Sequence, residues 1–132
     1  MEISVSHKQG RVSVAVIEIA GKTDSSSSDE LLVKLLKVIE GGARYLLLEM
    51  SKMPYISSAG LRVLHEVFDK LRELAPEENE KEMYEKIRDG SFKSPNLKLL
   101  NPTKEVMEVL RMSGFDMLVS IENNRKEAIA SF

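Results

Sequence analysis

The chain has 132 residues, of which 42% are hydrophobic and 30% are charged. This length and composition predict one globular domain with a single core. Its 19 lysine and arginine residues nearly balance 21 aspartate and glutamate residues, and the formal net charge of -2 argues against a direct nucleic-acid partner. Because there is no cysteine, disulfides, thiolate metal sites and cysteine nucleophiles are excluded.

The start of the chain, Met1–Ser4, lacks the basic residues and the apolar run of a signal peptide. No apolar stretch approaches the roughly 20 residues that are needed to cross a bilayer. The absence of cysteine fits a reducing compartment. We therefore expect a cytoplasmic protein with no membrane partner.

The first 20 residues alternate in hydrophobicity on both sides of a turn near Gln9-Gly10, which predicts two strands. A helix is predicted next, because apolar residues recur at i, i+3, i+4 and i+7, at Leu32, Leu35, Leu36 and Ile39. Ser27 and Glu30 have the spacing of a capping box at its start, and Gly41-Gly42 indicates its end. We interpret the serine run 25–28 as cap and loop, with a modified or binding segment as the alternative.

The apolar run Tyr45–Leu48 predicts a central strand that is covered on both faces. A second amphipathic helix is predicted to begin near Ser57 or Ser58, with its apolar stripe at Leu61, Leu64, Val67, Phe68 and Leu71. The alternation of strands and helices is typical of an α/β protein.

Residues 75–94 differ from the rest in composition. They carry six acidic and four basic residues, and hence the whole formal net charge of -2. Met83 and Ile87, with Glu82 and Lys86, are spaced to allow a short surface helix. We interpret this segment as a charged surface insertion.

The last third predicts three further elements and a helical end. Asn96–Leu100 is expected to form a strand, and Asn101-Pro102-Thr103 to start a third helix that stops at Ser113-Gly114. Alternating apolar residues predict a last strand over 117–121, and residues 124–131 a final helical turn or two.

The sequence does not favour an enzyme. His65 lies seven residues after Ser58 on one predicted helix, about 10 Å away at 1.5 Å rise per residue, too far to act as its base. His7 and His65 are too few for a metal site, and Gly41-Gly42 ends a helix instead of opening a phosphate-binding loop. We therefore predict no catalytic residue, no metal and no cofactor.

The feature that stands out is a pair of hydroxyls, Ser57 and Ser58, followed by Ala59-Gly60 at a helix start. Free amide groups and the positive end of the helix dipole favour an anion there. A phosphate on Ser58 adds about 1.5 to 2 negative charges without unfolding the helix. The alternative is that either serine only caps the helix.

The stretch Tyr45–Leu64, with Ser58-Ala59-Gly60-Leu61 at its helix start, resembles the signature of STAS domains, the fold of bacterial anti-sigma factor antagonists. Gly21-Lys22-Thr23-Asp24 looks like the family's turn after the second strand, and Leu110–Phe115 is similar to the end of its third helix. The resemblance implies an α/β STAS fold over one domain, 1–132. Its mixed central sheet would have four to five strands, with helices packed mainly on one face.

The resemblance also implies a function. Such a protein is not an enzyme: it binds an anti-sigma factor serine kinase when unphosphorylated and is released on phosphorylation of Ser58. A serine phosphatase is a further partner. The partner-binding residues implied are Gly21, Thr23, Asp24, Ser57, Ser58, Ala59, Gly60 and Arg62. The alternative is a non-switching STAS scaffold in a signalling or lipid-transport complex, with Ser58 as a plain cap.

The sequence departs from the family pattern at three places. Ser57 stands where the family often has aspartate, and Thr23 where it usually has an aliphatic residue, which we expect to be a minor change. Residues 75–94 replace a link that is commonly short. This segment is expected to clash with a standard partner or to extend the interface.

Overall fold

The computed structural model describes residues 1–75 and 80–132. Their elements are, in chain order, β1 Glu2–Gln9, β2 Ser13–Ala20, α1 Ser25–Glu40, β3 Leu46–Lys52, α2 Ser58–Glu73, α3 Glu80–Asp89, β4 Leu97–Leu100, α4 Lys104–Ser113, a 3₁₀ helix Phe115–Met117, β5 Ser120–Glu122 and α5 Arg125–Ala130. No helix within these residues is both long enough and apolar enough to span a bilayer.

The strands form one sheet in the order β1-β2-β3-β4-β5. β1 runs antiparallel to β2, because a short hairpin turn joins them, and the other three pairings are parallel. The expected mixed sheet is thereby confirmed, with five strands. In β3, Leu46–Leu48 of the predicted apolar run are buried, whereas Tyr45 precedes the strand and is half-buried. The buried stretch continues beyond the run through Glu49 and Met50.

The main core lies between the sheet and α1, α2 and α4. Each of these helices contributes buried apolar side chains to it, for example Leu35, Val67 and Leu110. The sheet contributes alternate residues such as Ile17 and Leu48. The opposite sheet face carries a smaller cluster, covered by α5, whose members are Val14, Val16, Leu47, Leu100 and Ala128. The helices thus lie mainly on one face, as expected.

Two of the sequence predictions are wrong in detail. The cap of α1 is Asp24, three residues before Ser27, and not Ser27 with Glu30. The last strand begins only at Ser120, because the 3₁₀ helix takes up Met117, whose side chain is 53% exposed. The left-handed Gly114 (φ 81°) turns the chain after α4, so that Phe115 and Val119 become buried.

Part of the charged segment 75–94 packs on the core. The predicted short helix exists as α3, and Lys86 forms an ion pair with Glu82 at 3.7 Å. Met83 is buried, and the Phe92 ring meets the Phe68 ring edge-on at 6.1 Å. Residues 76–79 of this segment lie outside the described part of the chain.

Candidate functional site

Two loops meet at the carboxyl ends of β2 and β3, where the sequence placed most candidate residues. Thr23 pairs with Ile56 in an isolated parallel bridge. The Thr23 side chain is fully buried, and its Oγ1 accepts a hydrogen bond from the backbone N–H of Ser57 at 3.1 Å. Thr23 therefore fixes the start of α2 and is more than the minor change that the sequence suggested.

Gly60 lets α2 approach this bridge closely. A Cβ atom at Gly60 would lie 2.8 Å from Cβ of Thr23 and 2.9 Å from Cγ1 of Ile56, closer than real Cβ atoms come to their neighbours. Only a residue without a side chain fits between the helix and the bridge. The glycine of the Ser-Ala-Gly-Leu motif thus has a packing role.

The two adjacent serines have different surroundings. Ser57 is the N-cap of α2, the residue just before the helix, and its Oγ accepts a hydrogen bond from the N–H of Gly60 at 3.1 Å. Ser58 is the first helical residue and is exposed. Among the residues that the structure describes, none forms a hydrogen bond with the Ser58 hydroxyl. The cap is therefore Ser57, and the fold leaves Ser58 available to solvent.

The serine run 25–28 is explained by the start of α1. Asp24 Oδ1 accepts hydrogen bonds from the backbone N–H groups of Ser26 at 3.0 Å and Ser27 at 2.9 Å, and from both hydroxyls. Ser27 Oγ in turn accepts from the N–H of Asp24 at 2.9 Å. These bonds, the one from the Ser27 N–H foremost, lower the pKa of Asp24 to about 2. Asp24 is thus held as an anion at the rim of the site.

The remaining candidate residues surround this start of α2. Gly21 has a positive φ of 112° and donates its N–H to the carbonyl of Lys52 at 3.0 Å, which joins the turn after β2 to the end of β3. Ala59 is half-buried, whereas Arg62 is exposed one turn after Ser58. Contacts thus connect Thr23, Ser57 and Gly60 to one another, whereas Gly21 contacts the end of β3. Asp24, Ser58 and Arg62 lie at the surface.

One contact of the site was not expected from the sequence. Thr103 caps α4 through the N–H of Val106, and its Oγ1 also donates to the carbonyl of Met53 at 3.1 Å. This bond ties α4 to the loop that leads into α2. The threonine after Asn101-Pro102 was a helix-start signal, but nothing in its spacing pointed to a partner 50 residues away.

The histidines stay apart from this site. The His65 ring is half-buried and meets the Phe115 ring edge-on at 4.8 Å, and His7 is exposed on β1. Within residues 1–75 and 80–132, no group of three histidine, aspartate or glutamate side chains could hold a metal ion.

Residues 6–76 match the family model described as the STAS domain, which is more than half of the chain. The chain belongs to the STAS domain family. A relative of this STAS domain in Bordetella bronchiseptica is BtrV, named as a candidate anti-sigma factor antagonist. The two are 29% identical over 114 residues, which cover 86% of this chain and 82% of BtrV.

Solved structures share the fold of this STAS domain. An anti-sigma factor antagonist from Mycobacterium paratuberculosis superposes with a TM-score of 0.70 at 15% identity, over 98% of this chain and 93% of that one. The antagonist SpoIIAA in its unphosphorylated form gives 0.67 at 18% identity, over 96% and 93%. SpoIIAA of Bacillus in its phosphorylated form gives 0.65 at 16% identity, over 97% and 96%.

Proposed function

We propose that this STAS domain is an anti-sigma factor antagonist that switches partners through phosphorylation of Ser58. The unphosphorylated chain would bind an anti-sigma factor serine kinase in the cytoplasm and so free a sigma factor. The phosphorylated chain would release the kinase, and a serine phosphatase would reset it. The domain would act by binding and would not itself catalyse a reaction. The names of BtrV and of the structural neighbours support this role.

The observation that carries the proposal is the exposure of Ser58 at the first position of α2, with no hydrogen bond to its hydroxyl from any described residue. A kinase needs an accessible hydroxyl that the fold does not use. Ser57 does not meet this condition, because its Oγ caps the helix. The neighbouring Asp24, Ala59 and Arg62 would form the surface that the kinase contacts.

A phosphate on Ser58 suits the folded domain. The first turn of a helix has unpaired N–H groups and the positive end of the helix dipole, both of which favour an anion. Arg62 lies four residues later on the same helix and is exposed, a spacing at which side chains of opposite charge on one helix face can interact. Phosphorylation would therefore change the charge of this surface without unfolding α2.

The same phosphate would disrupt a kinase interface that closes over Ser58. A dianion that is buried against a partner without matching cations loses its hydration and costs several kcal/mol. About 2.8 kcal/mol is already a hundredfold loss of affinity.

The test uses purified wild-type chain, ATP and the anti-sigma factor serine kinase encoded by the source organism. Intact-mass spectrometry should show one added phosphoryl group, and peptide mapping should place it on Ser58. Ser58→Ala should abolish the addition. Ser57→Ala, which removes only the cap, is the matched control and should still be phosphorylated.

Binding separates the switch from a scaffold. In calorimetry, Ser58→Asp should bind the kinase about a hundredfold more weakly than wild type. Ser58→Ala, which cannot accept phosphate, should keep the wild-type affinity. Equal affinity of Ser58→Asp and wild type would contradict the switch and leave a non-switching STAS scaffold as the better description.

A further inference from the structure

β1 is an unusually open sheet edge. It is eight residues long and pairs with β2 on one side, and no strand among the described residues pairs with its other side. Natural edge strands are commonly protected by proline, by a bulge, by charged side chains or by being short. The two acidic or basic residues of β1, Glu2 and Lys8, lie near its ends and leave residues 3–7 without a charge of this kind. β1 contains no proline, and its register with β2 is unbroken from Glu2 to Gln9. Its outer N–H and C=O groups are therefore available to another strand.

The sequence of β1 is complementary to itself in the antiparallel direction. If Val5 is placed opposite Val5 of a second copy, Glu2 falls opposite Lys8, and Ser4 opposite Ser6. By symmetry the Glu2–Lys8 pair occurs twice. Both residues are exposed, and neither forms an ion pair within the described part of the chain. Opposite charges that face each other across strands stabilise a pairing, whereas like charges weaken it.

The helix side of this edge also has apolar surface for a partner. One shallow groove is lined by Ile3 of β1, by Val33 of α1 and by four charged residues of α1, and Val33 is 52% exposed. Val5 lies next along the same face of β1 and is half-buried. A second strand paired with β1 would lie beside Ile3 and Val5 in the sheet, and its side chains on this face would reduce the apolar area that these residues expose to water.

We propose that two copies of this chain associate through antiparallel pairing of β1 with β1, centred on Val5. The two five-stranded sheets would then form one continuous ten-stranded sheet with a twofold axis through the seam. The Glu2–Lys8 pairs at the two ends of the seam fix its register, because a shift by two residues removes both of them. This interface does not use Ser58.

The test is sedimentation equilibrium of the full chain at low salt, at concentrations up to about 1 mM, a range that detects dissociation constants into the millimolar. Wild type should form dimers. Glu2→Lys and Lys8→Glu each place like charges opposite each other twice and should weaken dimerisation about tenfold. The double variant Glu2→Lys/Lys8→Glu restores opposite charges and should recover the wild-type affinity.

Glu108→Lys and Lys104→Glu are the matched controls, since each reverses one exposed charge on α4 and not on β1, and should leave the dimer unchanged. Circular dichroism of every variant checks that it is folded. A wild type that stays monomeric throughout would overturn the proposal. So would a dimer that both single variants leave intact, or one that the double variant fails to recover.

Discussion

The backbone N–H of Ser57 donates to Oγ1 of Thr23 across 34 residues of sequence, at 3.1 Å. This bond joins the turn after β2 to the start of α2. It is made by a threonine that is fully buried. The orientation of the first turn of α2, and hence of Ser58, depends on a side chain from another loop.

Thr23→Val should destabilise the domain, because it keeps the shape of the side chain and removes the acceptor for the Ser57 N–H. A buried donor left without a partner costs about 1–3 kcal/mol. Urea unfolding followed by circular dichroism measures the loss. Thr23→Ser keeps the hydroxyl and should lose less unfolding free energy. If Thr23→Val were as stable as wild type, the hydrogen bond would contribute nothing to stability.

Gly60→Ala should also destabilise the domain, since the new methyl group would lie 2.8 Å from Cβ of Thr23. Overpacking of this kind costs about 1–3 kcal/mol, which for a domain of this size lowers Tm by several degrees. Gly41→Ala is the matched control. Its Cβ would meet nothing closer than 3.4 Å and its φ is -71°, so differential scanning calorimetry should find it neutral or slightly stabilising.

The two serines of the site should respond differently to alanine. Ser57→Ala removes the N-cap of α2 and should cost about 1 kcal/mol of unfolding free energy. Ser58→Ala removes an exposed hydroxyl and should change stability by less than about 0.5 kcal/mol. Chemical denaturation of both variants side by side checks this. A larger loss at Ser58 would mean that its hydroxyl has a structural partner.

Stability should fall in acid partly through Asp24. Its pKa in the folded chain is about 2, below the ordinary value of 3.8. The stability that the charged carboxylate provides is therefore complete above pH 3.8 and is lost as the pH falls toward 2. Thermal unfolding between about pH 5 and pH 2 should therefore show a smaller decline in Asp24→Asn, which keeps a capping side chain without the charge. An unchanged decline in this variant would contradict the role of the carboxylate.

Arg125 should hold α5 against the sheet. Its guanidinium contacts Glu18 at 2.5 Å and Glu49 at 3.6 Å, and the hydrogen bond to Arg125 lowers the pKa of Glu18. Arg125→Leu should cost about 1 kcal/mol, since the pair with Glu18 is partly exposed. Hydrogen exchange should become faster in α5 and stay unchanged in α1. Lys126→Leu, one residue along, serves as the control.

Hydrophobic periodicity predicts most of the fold. The apolar patterns that form β2, β3, α1 and α2 are long and regular, so each of them fits only one type of secondary structure. The start of α1 is not fixed by the sequence, because four serines and three acidic residues offer several pairs at cap spacing, of which the structure uses Asp24 with Ser27. The prediction of a strand over 117–121 fails because local structure is not visible in the apolar pattern. Phe115 anchors a 3₁₀ turn that the alternating pattern cannot reveal.

The sequence predicts which segment forms the candidate site, but it does not predict the contacts that hold the site together. The hydroxyl pair before Ala59-Gly60 is visible in the sequence, but which serine caps the helix depends on the conformation of one residue. The roles of Thr23 and Thr103 depend on partners 34 and 50 residues away. Such long-range hydrogen bonds leave no periodic signal, since each needs only one polar side chain.

Ser57 caps α2 whereas Ser58 is exposed, and this difference has a consequence for evolution. Because the cap is provided by position 57, the fold places almost no demand on the side chain at position 58. Replacement there would be close to neutral for folding, and selection at that position would act through the partner alone. Comparison of relatives at these two adjacent positions would therefore separate pressure on folding from pressure on signalling.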